Sequence, residues 1–249
     1  MTDAVTPLLE TRALRLGAAE RVLVQGLDWA VRRGERWCVI GRNGTGKSLL
    51  LRALAGLAVP ERAGGIAWQG RLQQEWPVGA AAGVRALMPQ QPQDRFALSV
   101  ARLLALSEVV RGPAADPHAP RTLMADLDIE ALADRRADRL SGGERQRVAL
   151  AQCAIQGAAL MLLDEPVSFQ DPGHQQVVGR WLADRPATGA WIASAHDPGW
   201  IARVATHVLA LFGDGEWRAG PVAEVLREDV LERTYGCRWR AVEGSWIAE

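Results

Sequence analysis

The chain has 249 residues, of which 48% are hydrophobic and 23% charged, a balance typical of a folded globular protein and unlike disordered, collagen-like or coiled-coil chains. Its 29 Lys and Arg equal its 29 Asp and Glu, so the formal net charge is zero. No overall positive field therefore favours nucleic acid as a partner. At the start of the chain, residues 1–10 carry Asp3 and Pro7 where a secretory signal would have basic and then apolar residues, so we expect no secretion.

Apolar stretches and cysteines indicate the compartment. No apolar stretch approaches the ~20 residues of a transmembrane helix, so we expect a cytoplasmic protein that could contact a membrane only through a partner. Three cysteines, Cys38, Cys153 and Cys237, lack the close spacing of a zinc site, which fits a reducing compartment. We expect all three to be core thiols.

The first predicted elements lead to a glycine-rich loop. Residues 14–17 and 27–31 predict strands, with Trp29 facing the core, and residues 37–40 predict a buried strand. The leucines of residues 48–57 predict a helix. Between these last two lies Gly41-Arg-Asn-Gly-Thr-Gly-Lys-Ser48, which fits the phosphate-binding pattern G-x-x-x-x-G-K-[ST] in its required strand–loop–helix context.

The chemistry of this loop is specific for phosphate. Its glycines let backbone N–H groups turn toward an anion at a helix N-terminus. Lys47, the only lysine among the 29 basic residues, would reach the terminal phosphates, and the Ser48 hydroxyl would coordinate Mg²⁺. The predicted nucleotide-binding set is Gly41, Asn43, Gly44, Gly46, Lys47, Ser48 and Leu49.

A second buried strand is predicted at residues 160–163, followed by Asp164, Glu165 and Pro166. In a parallel α/β sheet, the carboxyl ends of the strands present the ligand-binding groups. Asp164 would therefore hold Mg²⁺ through water. Glu165, one residue farther, is placed to orient or deprotonate an attacking water.

A helix start lies between these two motifs. Leu140 closes a stretch that predicts short helices, and Ser141, Gly142 and Gly143 predict a serine-capped helix with open backbone N–H groups. Such a start is usually only a helix cap. Beside a phosphate loop, it is a second anion site that would be too distant within one chain but could meet the nucleotide of a second copy.

In this order the motifs resemble those of the ATP-binding subunit of an ABC transporter, over nearly the whole chain. The resemblance implies that Glu165 is the catalytic glutamate, that Gln90 senses Mg²⁺ and that His196 is the switch histidine. It also implies a signature loop of Ser141, Gly142, Gly143 and Glu144, and a loop after the catalytic glutamate that contains Ser168 and Asp171. The implied metal-binding set is Ser48, Gln90 and Asp164, with Asp171 added to the nucleotide-binding residues.

The resemblance also implies an architecture and partners. It implies an α/β fold with a P-loop NTPase core of ABC-ATPase type, an N-terminal antiparallel β region and an inserted helical subdomain. Residues 1–90 and 145–249 would form the core, and residues 91–144 the insert that ends in the signature loop. The implied activity is ATP hydrolysis with Mg²⁺ in a homodimer, which powers transport through separate integral-membrane permease subunits. A substrate-binding protein is a further implied partner, and Arg95 in the insert would face the permease.

The sequence departs from the family pattern in three places. Glu144 stands where Gln is commoner, and Phe169 with Gln170 replaces small and leucine residues before Asp171. Residues 14–16 lack the aromatic that usually stacks on adenine, so Arg15 either substitutes for it or is a plain exposed strand residue. Of the other histidines, we expect His118 and His174 at the surface and His207 in a structural role.

Other functions are weaker interpretations of the same residues. A soluble ABC-type ATPase acting on DNA or ribosomes would carry a long coiled-coil insert or a second cassette. A non-catalytic regulator would not need Glu165 and His196, and a P-loop kinase or GTPase would not need the Ser141 loop. Residues 196–203, 213–226 and 234–237 resemble bacterial importers of iron–siderophore chelates, haem and cobalamin, and the sequence leaves the choice among these cargoes open.

Overall fold

Strands and helices alternate through most of the chain. A computed structural model describes residues 6–92, 97–109, 119–242 and 245–249, so Arg95 and His118 lie outside the described residues. The strands are β1 (Leu9–Ala18), β2 (Arg21–Val31), β3 (Arg36–Ile40), β4 (Glu61–Trp68), β5 (Arg71–Leu72), β6 (Arg85–Met88), β7 (Leu160–Leu163), β8 (Ala190–Ser194), β9 (His207–Leu211), β10 (Trp217–Pro221), β11 (Trp239–Val242) and β12 (Ser245–Ala248). The α-helices are α1 (Lys47–Leu54), α2 (Val78–Val84), α3 (Val100–Glu108), α4 (Ala119–Asp126), α5 (Gly142–Ile155), α6 (Pro172–Ala183), α7 (Pro198–Val204), α8 (Val222–Val225) and α9 (Glu228–Tyr235).

The larger sheet forms the centre of the molecule. Its strand order is β10-β9-β3-β8-β7-β6, and all neighbouring pairs are parallel except β9 with β10. Every residue of β7 and β8 is buried, as expected for parallel strands that are covered on both faces. The strands predicted at residues 37–40 and 160–163 are confirmed.

A second, antiparallel sheet contains the N-terminal strands in the order β2-β1-β4-β5. Trp29 of β2 is buried and lies edge-on to Trp37 of β3, with ring centroids 5.0 Å apart, so the two sheets share apolar contacts. The His207 ring stacks on the Trp37 ring, with ring centroids 4.6 Å apart, which agrees with its predicted structural role. The predicted α/β fold with an N-terminal antiparallel β region is confirmed.

Helices α3 and α4 lie within the range that the sequence analysis assigned to the helical insert, and both pack against α5. Between α4 and α5, short 3₁₀ turns occur at Glu130–Leu132 and Ala137–Arg139. The apolar residues that predicted short helices here are all buried: Leu127, Ile129, Leu132 and Leu140.

Two further predictions concern the cysteines, which were expected in the core, and the absence of a membrane-spanning helix. Cys38 and Cys153 are buried, but the prediction of a core thiol is wrong for Cys237, which is partly exposed because it follows Gly236 at the C-terminal end of α9. Within the described ranges, no helix combines the length and the apolar character needed to span a bilayer.

Candidate nucleotide site

The glycine-rich loop joins the carboxyl end of β3 to the first turn of α1, as the sequence predicts. Gly46 adopts a left-handed conformation (φ 99°) as the N-cap of α1. A Cβ at Gly41 would collide with the Thr45 hydroxyl and lie 2.8 Å from the Leu211 carbonyl oxygen. The Thr45 hydroxyl also donates a 2.9 Å hydrogen bond to the Arg42 carbonyl, which closes the loop on itself. The loop is therefore shaped by contacts that exclude side chains at its glycines.

Lys47 lies in the centre of this loop and is almost fully buried, with 6% of its surface exposed. Its Nζ donates hydrogen bonds to the carbonyl oxygens of Gly41 (2.8 Å) and Arg42 (3.1 Å). Burial lowers the pKa of Lys47, and the carboxylates of Glu165 and Asp164 partly offset this effect. The first turn of α1 contains no acidic residue, so its N-terminus can accept an anion.

Glu165 faces the loop from the end of β7. Its Oε1 lies 3.0 Å from Nε2 of His196, and its Oε2 accepts a 2.8 Å hydrogen bond from the Ser168 hydroxyl. Burial raises the pKa of Glu165, but the hydrogen bonds from Ser168 and His196, together with one from Gln90, outweigh it and the net shift is downward. The carboxylate form of Glu165 is therefore favoured at neutral pH.

Asp164 precedes Glu165 and is buried, with its Oδ1 accepting a 2.6 Å hydrogen bond from the Ser194 hydroxyl. No hydrogen bond to Oδ2 occurs among the described residues, so this oxygen is available to a cation or its water. Ser48 and Gln90, the other predicted metal ligands, line the adjoining pocket. A carboxylate, a hydroxyl and an amide are hard oxygen ligands of the type that Mg²⁺ takes together with substrate phosphates, so the residues fit this ion.

These groups surround one pocket of about 650 Å³. Its walls bring together most of the predicted site residues: Asn43, Gly44, Gly46, Lys47, Ser48, Leu49, Gln90, Glu165 and His196. Ala18, the last residue of β1, and Leu23 of β2 complete the lining. A pocket of this size suits a nucleotide with its phosphates at the loop.

The structure corrects which residue of β1 would lie beside the adenine of the nucleotide. The sequence analysis placed it at residues 14–16, but Leu14 and Leu16 are fully buried in the core and Arg15 forms an ion pair with Glu61 (3.8 Å). Ala18 lies at the pocket instead. The described residues that line the pocket include no Trp, Tyr or Phe that could stack on the adenine.

The predicted signature loop lies apart from this pocket. Ser141 caps α5 by accepting a hydrogen bond from the Glu144 N–H, and the Glu144 carboxylate accepts one from the Ser141 N–H (2.8 Å). The latter bond outweighs burial and lowers the pKa of Glu144. Gly142 and Gly143 pack beside Phe169, whose side chain is 74% exposed.

Asp171 is also outside the pocket, although the sequence analysis placed it in the nucleotide-binding set. Its carboxylate caps α6 by accepting from the His174 N–H (3.0 Å) and contacts the His174 ring (2.6 Å). The His174 ring, which is partly exposed as expected for a surface residue, lies 3.3 Å from Asp128 on its other side. The structure therefore ties Asp171 to a helix start, and any nucleotide contact would come from another molecule.

Sequence reasoning missed three residues of the site. Ser194 holds Asp164 and also accepts a 2.8 Å hydrogen bond from the Glu165 N–H. Gln146 of α5 donates to the Glu165 carbonyl (3.1 Å), and Tyr235 donates to the His196 carbonyl (3.3 Å). A lone hydroxyl in the apolar strand β8 was a usable signal for Ser194, whereas nothing in the local sequence marks the other two.

Comparison with known proteins decides the family. The family model described as ABC transporter matches residues 24–168, more than half of the chain. The chain belongs to the ABC transporter family. As an ABC transporter ATPase it binds ATP and hydrolyses it, which agrees with the phosphate loop and Glu165 meeting in one pocket.

Relatives of this ABC transporter ATPase include import proteins. A hemin import ATP-binding protein (HmuV) of Nocardia farcinica is 40% identical over 224 residues, which cover 88% of this chain and 77% of that protein. A probable siderophore transport system ATP-binding protein (YusV) of Bacillus subtilis is 30% identical over 91% of this chain and 85% of its own. A solved ATP-binding subunit of an ABC transporter has the same fold, with a TM-score of 0.77 at 22% identity, over 93% of this chain and 94% of that one.

Proposed function

We propose that this ABC transporter ATPase powers the import of haem across the plasma membrane. The observation that carries the proposal is the 40% identity with the hemin import protein of Nocardia farcinica over 88% of the chain. The siderophore relative is less similar, at 30% identity. An iron–siderophore chelate is therefore the second candidate cargo. Cobalamin, which the sequence resemblance also allowed, is the third.

The phosphate loop would hold the substrate ATP. The N–H groups at the start of α1 and the Lys47 ammonium supply positive charge to the β- and γ-phosphates. Lys47 would exchange its two bonds to loop carbonyls for bonds to phosphate oxygens. The residues assigned to nucleotide binding in this pocket are Gly41, Asn43, Gly44, Gly46, Lys47, Ser48 and Leu49.

Glu165 would act on the attacking water. Its ionised carboxylate can orient that water and accept a proton from it, because Ser168 and His196 fix both carboxylate oxygens. Gln90, two residues after β6, also hydrogen-bonds Glu165, so the residue assigned to sensing Mg²⁺ would contact the catalytic base. Mg²⁺ held by Ser48, Gln90 and Asp164 would neutralise charge that develops on the phosphates.

The active form would be a head-to-tail homodimer. Ser141 and Gly142 are exposed on the surface, outside the phosphate pocket of their own chain. Their open N–H groups at the start of α5 suit an anion. In the dimer, Ser141, Gly142, Gly143, Glu144 and Asp171 of one copy would meet the nucleotide held by Lys47 of the other.

Import also needs membrane partners. Permease subunits would dock on the helical insert, residues 91–144, and place the ATPase at the inner face of the plasma membrane. A substrate-binding protein would deliver the cargo to the permease. The exposure of Leu106 in α3 favours docking on this surface, because this large apolar side chain is 56% exposed.

Complementation tests the cargo. The chain is expressed in Nocardia farcinica lacking its hemin import ATP-binding protein, with the Glu165→Gln variant as a matched inactive control. Growth on hemin as the iron source, restored by the wild type alone, is the expected result. Rescue of siderophore-dependent growth in Bacillus subtilis lacking its siderophore transport ATP-binding protein, without rescue on hemin, would instead favour a siderophore.

A further inference from the structure

A second cavity lies at the opposite end of the central sheet from the nucleotide pocket. It has a volume of about 500 Å³ and is lined by the residues at which β3, β7 and β8 begin, among them Arg36, Ala159 and Ala190. These strands lead at their other ends into the phosphate loop, the Asp164–Glu165 pair and His196. With four to five residues per strand at ~3.3 Å each, the two sites are separated by roughly 15 Å.

Three arginines converge on this cavity: Arg33, Arg36 and Arg185. The only carboxylate among its described lining residues, Glu35, is engaged elsewhere, because its Oε2 accepts hydrogen bonds from the Trp37 indole (2.8 Å) and the Arg32 N–H (2.9 Å). No carboxylate of the described residues lies within 4.0 Å of any of the three guanidinium groups. The cavity therefore carries an unbalanced positive charge.

Most donors of these guanidinium groups have no partner in the described part of the chain. Arg33 donates to the Thr188 carbonyl, and Arg36 donates to the Ala183 carbonyl at the end of α6 (2.6 Å). The Nε of Arg36 is buried without any hydrogen-bond partner. Arg36 thus satisfies one helix terminus, while its Nε stays shielded from solvent without a partner among the described residues.

Arg185 is the least satisfied of the three. Its guanidinium lies 4.8 Å from the centre of the Trp181 ring and makes no hydrogen bond or ion pair with described residues. The side chain is partly buried, and this burial lowers the pKa of Arg185. This contact with the Trp181 ring uses none of the guanidinium N–H donors. Planar, preorganised guanidinium groups of this kind are suited to bidentate recognition of phosphate.

We propose that this arginine cavity binds a small organic phosphate, whose phosphate oxygens lie between Arg36 and Arg185 with Arg33 at the rim. A bare phosphate ion would leave most of the volume empty. The apolar side chains of Met161 and Trp191 line the remainder, and they would contact the organic part of the ligand. The phosphate group could belong to a free metabolite or to a lipid headgroup, since both present the same oxygens.

Isothermal titration calorimetry with glycerol 1-phosphate tests the site. The titration uses a Lys47→Ala background, so that residual binding at the phosphate loop is the same in every protein compared. Arg185→Gln should weaken binding about tenfold, the loss expected for one charge-assisted hydrogen bond. Arg218→Gln, which removes an exposed arginine from β10, is the matched control and should leave binding unchanged.

Arg185 is chosen because its replacement removes no hydrogen bond of the described fold, whereas Arg36→Gln also uncaps α6. Circular dichroism should confirm that Arg185→Gln is folded. Equal affinity for glycerol 1-phosphate in Arg185→Gln and its parent, or no binding in the parent, would overturn the proposal. Phosphatidylglycerol vesicles provide the second arm: co-sedimentation that depends on Arg185 would identify a lipid headgroup as the source of the phosphate.

Discussion

Nε2 of His196 lies 3.0 Å from Oε1 of Glu165, so the ends of two neighbouring parallel strands meet at one carboxylate. The histidine ring contacts one oxygen of that carboxylate, and the Ser168 hydroxyl donates a hydrogen bond to the other. The carboxylate that we propose as the catalytic base is therefore held by residues that are 3 and 31 positions away along the chain.

Replacing Glu165 by Gln should abolish turnover while ATP still binds. Loss of a positioned base typically costs ~10²- to 10⁴-fold in rate, and the phosphate loop is unchanged. Lys47→Ala should lose ATP binding as well. Phosphate release and fluorescent-ATP titration measure the two effects, with Glu232→Gln on exposed α9 as the control. Phosphate release near the wild-type rate in Glu165→Gln would remove Glu165 from the mechanism.

Ser168→Ala should shift the pH dependence of hydrolysis. The hydrogen bond from Ser168 holds the pKa of Glu165 down, so its loss raises that pKa. Activity needs the carboxylate and is lost as the pH falls through the pKa. The acidic limb of kcat/KM should therefore move to higher pH, by up to about one unit. A limb that moves equally in Ser107→Ala, a serine of α3, would show that the shift is not specific.

Ala18→Tyr should tighten ATP binding, because it would supply the missing aromatic at the pocket. Base stacking contributes ~1–3 kcal/mol, which corresponds to roughly 5- to 150-fold in affinity. Leu16→Tyr should instead lower Tm without increasing ATP affinity, because overpacking the core reduces the free energy of unfolding by ~1–3 kcal/mol. Titrations with fluorescent ATP and GTP measure both variants. The wild type should discriminate little between the two nucleotides, and strong ATP selectivity would mean that another group reads the base.

Ser141→Arg should prevent ATP-driven dimerisation. In a Glu165→Gln background ATP should produce a dimer, and a bulky side chain at the exposed start of α5 should block the partner's nucleotide. Ser99→Arg is the matched control, because Ser99 also caps a helix, α3, by accepting from the Arg102 N–H. Size-exclusion chromatography with light scattering measures the mass. A dimer that persists in the Ser141 variant would place the dimer contact elsewhere.

Tyr235→Phe should lower kcat with little change in KM for ATP. Burial raises the pKa of Tyr235, so its hydroxyl stays protonated and donates to the His196 carbonyl. Loss of one such bond costs about two- to tenfold. If Tyr235 acts through His196, the variant should cause no further loss in a His196→Ala protein. Additive losses in the double variant would show that Tyr235 acts independently of His196.

Local patterns predicted the parts of the site that are local in sequence. The strand, loop and helix around Lys47 and the acids after β7 each lie within a short segment, so residue types and spacing were sufficient. The contacts from Ser194, Gln146 and Tyr235 join residues 19 to 39 positions apart. Their formation depends on which strands become neighbours in the sheet, which periodicity does not specify.

The error at residues 14–16 has a different cause. Strand β1 shifts register against β2 between Thr11 and Leu14, between Leu14 and Leu16, and again before Gly17. Such irregularities change which face of the sheet a residue occupies. Leu14 and Leu16 consequently point into the core, and the only described residue of β1 that lines the pocket is its last, Ala18.

The single lysine makes amine-directed labelling of this protein nearly site-specific. Apart from the amino terminus, Lys47 is the only primary amine in the chain. It is only 6% exposed, and its Nζ donates hydrogen bonds to two carbonyl oxygens of the loop. Acylating or aldehyde reagents therefore have only two amines to modify, so a second adduct marks the phosphate loop. Mass spectrometry of the adduct, with and without ATP, then reads nucleotide occupancy directly from the intact protein.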